Sequence, residues 1–426
     1  MFSVFGFFLI LLVNFTPELM VSALLSSSIV IISQGWDMMS WGFNMDQLSV
    51  LLTFLSLMVS SIILMLCSKN KMNKMPVIIL LMSIIISLFF LTDSLMWFFI
   101  LFEVSLIPLM LMMMLWGKQA ERISAVQYIL LYTFVGSSPL LFSLIYLIKE
   151  SGMTSMSTSV FLMIEESSLY FSLMLTSFLV KIPVYFFHSW LPKAHVEAPL
   201  EGSMILAGLM LKLGMYGLIR VLSIVQINDQ MISLIFSISV VGSLISTLIA
   251  LSVDDMKMSV AFSSISHMNV IVASVLSMKV SGLYSSMIIM FSHGLSSPIL
   301  FFIVTKIYNI SNSRSALISK GSMSSFPLFT LIALVSWVIN LSTPPFFSFT
   351  GEVLSFLSTI SYFPVLIFWI TIYMGLSSFF CVVNYGVHCH SSKKLHMKTN
   401  LIDFPFILCF SLVLFFMLIL FFFQPI

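Results

Sequence analysis

Repeated apolar runs of bilayer length constrain this chain more than any other feature. A spanning α-helix needs about 20 predominantly apolar residues, and such runs recur from the first residues to the last. Of the 426 residues, 60% are hydrophobic and 8% are charged. A soluble domain carries about 25% charged residues, so this chain has too few to cover a water-facing surface. The pattern predicts an all-α polytopic membrane protein in a single membrane domain, 1–426.

The runs fall at about 2–15, 17–33, 48–67, 76–92, 95–116, 123–148, 167–189, 199–221, 230–252, 257–277, 281–309, 324–358, 362–386 and 401–424. Fourteen spans leave both ends on one side. On the side reached after the odd-numbered spans lie Lys69, Lys71, Lys74, Lys118, Arg122, Lys193, Lys257, Lys306, Arg314, Lys320, Lys393, Lys394 and Lys398. The other side holds only Lys149, Arg220 and Lys279, while Lys181 and Lys212 lie within spans. Basic residues collect on the inner side of a membrane, so both termini are expected to face outward. That is the intermembrane space of a mitochondrion or the periplasm of a bacterium.

Heavy use of Phe (42) and Met (33) fits an AT-rich organelle genome. The first apolar stretch lacks a basic flank and a small-residue cleavage site, and no Arg-rich transit segment is visible. This fits synthesis within the organelle or in a bacterium. Cys67, Cys381, Cys389 and Cys409 form no CxxC pair, so neither an iron–sulfur cluster nor a structural zinc site is expected. His388, Cys389, His390 and His396 are scattered through a basic loop and are read as loop residues, with no metal expected. A net charge of +2 suggests no nucleic-acid partner. No GxGxxG, P-loop or nucleophile elbow offers a nucleotide, flavin or acyl-transfer site.

Two spans carry breaks. Lys181-Ile182-Pro183 interrupts the seventh, and Pro344-Pro345 followed by Gly351-Glu352 interrupts the twelfth. Proline removes a backbone donor and clashes with the preceding turn. The breaks are five spans apart, which divides the chain into a repeat over 76–221 (spans 4–8) and another over 230–386 (spans 9–13). Five-span repeats insert upside down relative to one another. Broken, charged helices at matching positions of inverted repeats point to a transport site.

Six ionisable residues lie within spans: Glu103, Lys181, Lys212, His267, His293 and Glu352. A charge at the bilayer centre costs roughly 2.5–3.5 kcal/mol on insertion scales. Most sit about eight to fourteen residues into their spans, near mid-bilayer at 1.5 Å per residue. Burial disfavours the charged form of an amine or a carboxylate, and a neighbour of opposite charge restores it. Separating such a pair switches an amine between holding and releasing its proton, and histidine titrates near neutrality unaided. Two readings stay open for each histidine, a proton relay or a structural hydrogen bond. Ser263 and Ser264 precede His267, and Ser296 and Ser297 follow His293; they can carry protons or satisfy the rings. His188 and His195 flank the loop after the seventh span and are read as loop polar groups or a proton-access point. Asp93, Glu121, Asp254 and Asp255 fall at helix ends, where capping is the default.

The stretch Phe186-Phe187-His188-Ser189-Trp190-Leu191-Pro192-Lys193-Ala194-His195-Val196-Glu197-Ala198-Pro199 carries a resemblance. It continues through Gly202-Ser203-Met204 to Leu211-Lys212-Leu213-Gly214 and Tyr216-Gly217. With Phe102-Glu103-Val104-Ser105, Ser266-His267-Met268, His293-Gly294-Leu295 and Pro344-Pro345 it resembles the chain 4 family of NADH–ubiquinone oxidoreductase subunits, respiratory complex I. That family is antiporter-like. The resemblance spans about residues 95–360 and implies proton translocation, with Glu103 partnering Lys181, Lys212 as central relay and Glu352 on the exit side. It places His267 and His293 on the polar axis. It implies no cofactor in this chain; NADH, FMN, iron–sulfur clusters and ubiquinone would belong to the assembled complex. It also implies neighbouring antiporter-like subunits and lipids as partners, and the mitochondrial inner membrane as location. A Glu in span 12 is similar to chain 4 and unlike chains 2 and 5, and the long lateral helix of chain 5 is not expected. The chain departs from the pattern at Glu201, expected small or neutral, which would pair with Lys193 or face water. Pro298 and Phe262 are further departures, the second removing a tyrosine hydroxyl from span 10, and the region before span 3 carries almost no match. The nearest rival is a subunit of a stand-alone cation/proton antiporter; a catalytic quinone reductase subunit and a passive spacer are weaker.

Overall fold

A computed structural model describes residues 46–67, 74–117, 119–152, 154–157, 168–225, 229–316, 318, 321, 327–389 and 404–422. The described chain is helical, with no strands. In order, the helices are α1 (Gln47–Leu66), α2 (Lys74–Leu91), α3 (Leu95–Val104), α4 (Leu106–Trp116), α5 (Arg122–Ser151), α6 (Ser168–Lys181), α7 (Trp190–Glu197) and α8 (Leu200–Ile205). A π-helical turn, Leu206–Met210, leads into α9 (Leu211–Ile224). Then come α10 (Asp229–Ser252), α11 (Met256–Leu276), α12 (Val280–Ser311), α13 (Pro327–Asn340), α14 (Phe347–Tyr362), α15 (Ile367–Cys389) and α16 (Phe404–Phe422). Among the described residues, nine helices are long and apolar enough to cross a membrane, and α6, α13 and α16 contain shorter apolar segments. Expected spans 3 to 14 each coincide with a helix or an interrupted helix pair. Spans 1 and 2 lie outside the described residues, as do Lys393, Lys394, Lys398, His390 and His396.

The helices solve the polar problem of an apolar interior locally. On α1, Ser49, Thr53, Ser56 and Ser60 are buried, and each hydroxyl donates to the carbonyl of Asp46, Val50, Thr53 or Leu57, three residues back. Such back-bonding lets hydroxyls sit in apolar surroundings without an external partner. Helix α11 is buried continuously from Ser259 to Leu276. By contrast α5 exposes Leu131, Phe134, Val135 and Phe142, and α15 exposes Phe368, Phe379 and Val382. Apolar faces of this kind suit lipid or another membrane subunit.

Two compact units are present. The first comprises Met1–Ile182 and Glu197–Met231; the second comprises Pro183–Val196 and Ile232–Ile426. In the first, the α2–α3 junction is tied to the segment after α5. Leu95 N donates to Thr154 O at 2.9 Å and Met156 N to Asp93 O at 2.7 Å. The Asp93 carboxylate accepts from the backbone and hydroxyl of Ser157. In the second, the α10–α11 junction is tied to the segment after α12. Met256 N donates to Arg314 O at 3.2 Å and Ala316 N to Asp254 O at 2.9 Å. Asp255 caps α11 by accepting from Lys257 N at 2.9 Å, and lies 3.9 Å from Arg314.

Both proline-bearing breaks are real. Between α6 and α7 the chain runs through turns from Ile182 to Ser189, and Phe186 takes a φ of 83°. Between α13 and α14, Ser342 takes a φ of 54°, and the Pro344-Pro345 peptide is cis. Non-glycine residues in this backbone region cost about 1–3 kcal/mol and persist at functional sites. Ser348 Oγ donates to Ile339 O, and Thr343 Oγ1 to Val338 O, replacing lost helical bonds. Two further irregularities are the Ser105 junction between α3 and α4, where Pro108 has no N–H to offer the Val104 carbonyl four residues back, and the π turn, which contains no proline. Conversely, Pro139 and Pro298 sit inside α5 and α12 without ending them.

Candidate functional site

In the first unit Lys181 ends α6 because Pro183 stops the helix there. Its side chain is 5% exposed, and Nζ lies 3.9 Å from Glu103 Oε1. The same Nζ donates to Phe102 O at 2.6 Å and sits 3.0 Å from the centroid of the Phe102 ring. A carboxylate, a carbonyl and a π-face thus hold one ammonium. Phe102 also meets Phe89, Phe98 and Phe178, so the pair is walled by aromatic rings. Glu103 is 26% exposed on its side chain, the more exposed member of the pair.

Lys212 is fully buried on the first turn of α9. Its Nζ donates to Ala207 O at 2.6 Å, a carbonyl five residues back in the π turn. A π turn opens the regular ladder and is common at functional sites. Glycine brings α9 onto the Lys181 turn: a Cβ on Gly214 would stand 2.8 Å from Ile182 Cγ1 and 3.2 Å from Lys181 Cβ. A Cβ on Gly217 would collide with the Phe178 ring. Tyr216 donates to Phe90 O at 2.9 Å and packs beneath Arg220, which pairs with Asp46 at 2.5 Å.

In the second unit His267 on α11 meets Glu352 on α14, Nδ1 to Oε1 at 3.4 Å, with side-chain exposures of 10% and 7%. The His293 ring on α12 lies 5.7 Å from that of His267, centroid to centroid. The structure therefore brings His267, His293 and Glu352 together, and separately Glu103 with Lys181. The neighbouring serines give their hydrogens to backbone rather than to the rings: Ser263 to Val260 O, Ser264 to Ala261 O, and Ser297 to His293 O. His188 lies in the break, stacked on Tyr185 at 4.9 Å and edge-on to Phe262. His195 is not in a loop: it lies on α7, fully buried and stacked on Phe301 at 4.4 Å. Glu201 does not face water either. It is buried in the first turn of α8, with Cys67 Sγ 3.8 Å from Oε1.

Residues 92–377 match the family model described as NADH:quinone oxidoreductase/Mrp antiporter, TM. The chain belongs to this antiporter family. Among its relatives, NADH-ubiquinone oxidoreductase chain 4 of Myxine glutinosa is 40% identical over 325 residues, 73% of this chain and 70% of the relative. Chain 4 of Lumbricus terrestris is 35% identical over 377 residues, 87% and 80% of the two chains. Among solved structures, a chain of respiratory complex I from Thermus thermophilus with bound NADH superposes with a TM-score of 0.87 at 20% identity. It covers 97% of this chain and 92% of its own. A chain of an archaeal membrane-bound sulfane sulfur reductase superposes at 0.83 with 14% identity, covering 99% and 92%. Both share the fold of this chain.

Three features of this family member escaped the sequence. Phe102 contributes a carbonyl and a ring face, and only its place beside Glu103 hinted at it. The π turn before Lys212 has no residue signature beyond the small Ala207-Gly208 pair. Tyr373, buried beside the Glu352 helix, was signalled only by a phenol in an apolar span.

Proposed function

We propose that this chain is a proton-translocating membrane subunit of mitochondrial NADH:ubiquinone oxidoreductase. Electron transfer runs in other subunits, which hold NADH, FMN, the iron–sulfur clusters and ubiquinone. The observation that carries the reading is Lys181, an ammonium buried in an apolar span with Glu103 at 3.9 Å. An intramembrane amine far from either interface marks an ion pathway by default. When Glu103 is close and ionised, Lys181 holds its proton; when the pair separates, the amine releases it. Lys212 repeats the chemistry with a carbonyl as its holder. In the second unit His267, His293 and Glu352 continue the relay, with Glu352 on the exit side. His188 and His195 are candidate access groups.

Two inverted repeats, 76–221 and 230–386, would explain why corresponding junctions are tied alike. Ser94 pairs with Ser155 and Asp255 with Ser315, each linking the start of a helix to the segment after the next long one. Each repeat then reaches a break, at Pro183 and at Pro344. The exposed apolar faces of α5 and α15 are available to lipids and to neighbouring antiporter-like subunits. The mitochondrial inner membrane, with both termini toward the intermembrane space, fits the basic-residue asymmetry.

A stand-alone cation/proton antiporter subunit is the alternative, since the family includes Mrp antiporters. Chain 4 relatives at 40% and 35% identity favour the respiratory complex. Native electrophoresis of mildly solubilised membranes separates the two. The chain should co-migrate with rotenone-sensitive NADH:quinone reductase activity. Migration in a smaller assembly without NADH oxidation would favour the antiporter.

A further inference from the structure

Tyr373 on α15 is fully buried, and nothing in the relay described above uses it. Its ring stacks on Trp369 at 5.9 Å and meets Phe356 edge-on at 6.2 Å. Trp369 is itself anchored, its indole N–H donating to Val240 O at 2.9 Å with Ser243 Oγ 3.1 Å away. Phe356 follows Glu352 by four residues, so the phenol docks on the face of α14 that carries the carboxylate. The hydroxyl is buried without a direct hydrogen bond. Its polar neighbours include Ser266 on α11, Glu352 on α14 and the Cys381 thiol on its own helix. Ser266 gives its hydrogen to Ser263 O at 2.7 Å, which leaves its oxygen available as an acceptor.

A phenol in an apolar interior is costly unless its hydroxyl is satisfied in some state of the molecule. Ser266 and Glu352 are the groups able to supply that state. The Glu352 carboxyl now faces His267 Nδ1, and its side-chain torsions allow a second orientation. We propose that Tyr373 is a positioning residue of the proton path, whose hydroxyl, supported by Ser266, offers Glu352 a second docking point besides His267. Protonated His267 passes its proton from Nδ1 to the Glu352 carboxylate; the resulting carboxylic acid then accepts a hydrogen bond from the Tyr373 hydroxyl at its carbonyl oxygen. Tyr373 keeps its own proton throughout. Swinging away from His267 separates the acid from the neutral imidazole and disfavours back-transfer. This inference rests on the translocation reading above.

Tyr373→Phe removes the hydroxyl and keeps the ring that packs on Trp369 and Phe356. The assembled complex in sealed membrane vesicles is compared with Ser266→Ala, Glu352→Gln and Lys212→Met at matched complex levels. Two quantities are read: NADH-driven proton translocation, and the carboxyl C=O infrared band that disappears in Glu352→Gln. Tyr373→Phe should lower translocation several-fold, the worth of one hydrogen bond of about 1 kcal/mol, and should shift the Glu352 band. Ser266→Ala, which leaves the ring packing intact, should shift the same band less. If Tyr373→Phe changes neither quantity while Glu352→Gln and Lys212→Met stop translocation, Tyr373 only packs and this proposal is overturned. If Lys212→Met and Glu352→Gln also pump normally, the translocation reading fails and takes this inference with it.

Discussion

At the scale of single residues, Lys181 shows how an apolar interior keeps a charge. Its ammonium has one anion, one carbonyl and one aromatic face within reach. At about 4 Å and an effective dielectric near 20, one ion pair is worth roughly 4 kcal/mol before desolvation is subtracted. Removing the anion should leave the amine less able to hold a proton. Glu103→Gln is therefore expected to lower proton translocation tenfold or more, while Glu103→Asp, which keeps the charge on a shorter arm, should be milder. Initial rates of NADH-driven translocation in vesicles measure both; equal rates in Glu103→Gln and the unaltered protein would remove Glu103 from the path. The ionisable members were legible in the sequence because a charge in an apolar run is an anomaly. Phe102 was not, because an apolar residue among apolar residues gives no contrast, and its carbonyl belongs to the backbone. Glu201 was visible but misplaced: its burial depends on α8 packing against α1, which spacing along the chain does not report.

At the scale of elements, proline proved a partial guide. Pro183 and Pro344 mark true breaks, yet Pro139 and Pro298 ride inside continuous helices. In the first pair the flanking chain turns through a positive-φ residue, Phe186 or Ser342; α5 and α12 keep their helical course. The Ser105 junction lies just ahead of Pro108, which leaves the Val104 carbonyl without its helical donor, whereas the π turn contains no proline and had no such signal. Close approach between elements rests on glycine. Gly214→Ala would drive a Cβ to 2.8 Å from Ile182 and force α9 away from the Lys181 turn. Overpacking of this kind typically costs about 1–3 kcal/mol. We expect lower thermal stability of the assembled complex and reduced translocation. Gly375→Ala on α15, where a new Cβ meets nothing within 4 Å in this chain, should leave both unchanged. Equal stability of the two variants would mean that α9 does not depend on that contact.

At the scale of the whole molecule, expected spans 3 to 14 were readable because bilayer thickness fixes the length of an apolar run. A chain of only 20% identity superposes with a TM-score of 0.87, so the fold tolerates wide sequence change. Function is read from the family match and from chain 4 relatives, one of them 40% identical, and the account assigns translocation to the buried ionisable side chains. Lys212 is the fully buried ammonium among them, so it tests the account most directly. The measurement is the number of protons translocated per electron in sealed vesicles carrying Lys212→Met, with complex content matched. The account predicts a severe loss of translocation, with NADH oxidation by artificial acceptors intact because it assigns the redox centres to other subunits. A proton-to-electron ratio and quinone-linked turnover equal to those of the unaltered protein would contradict it.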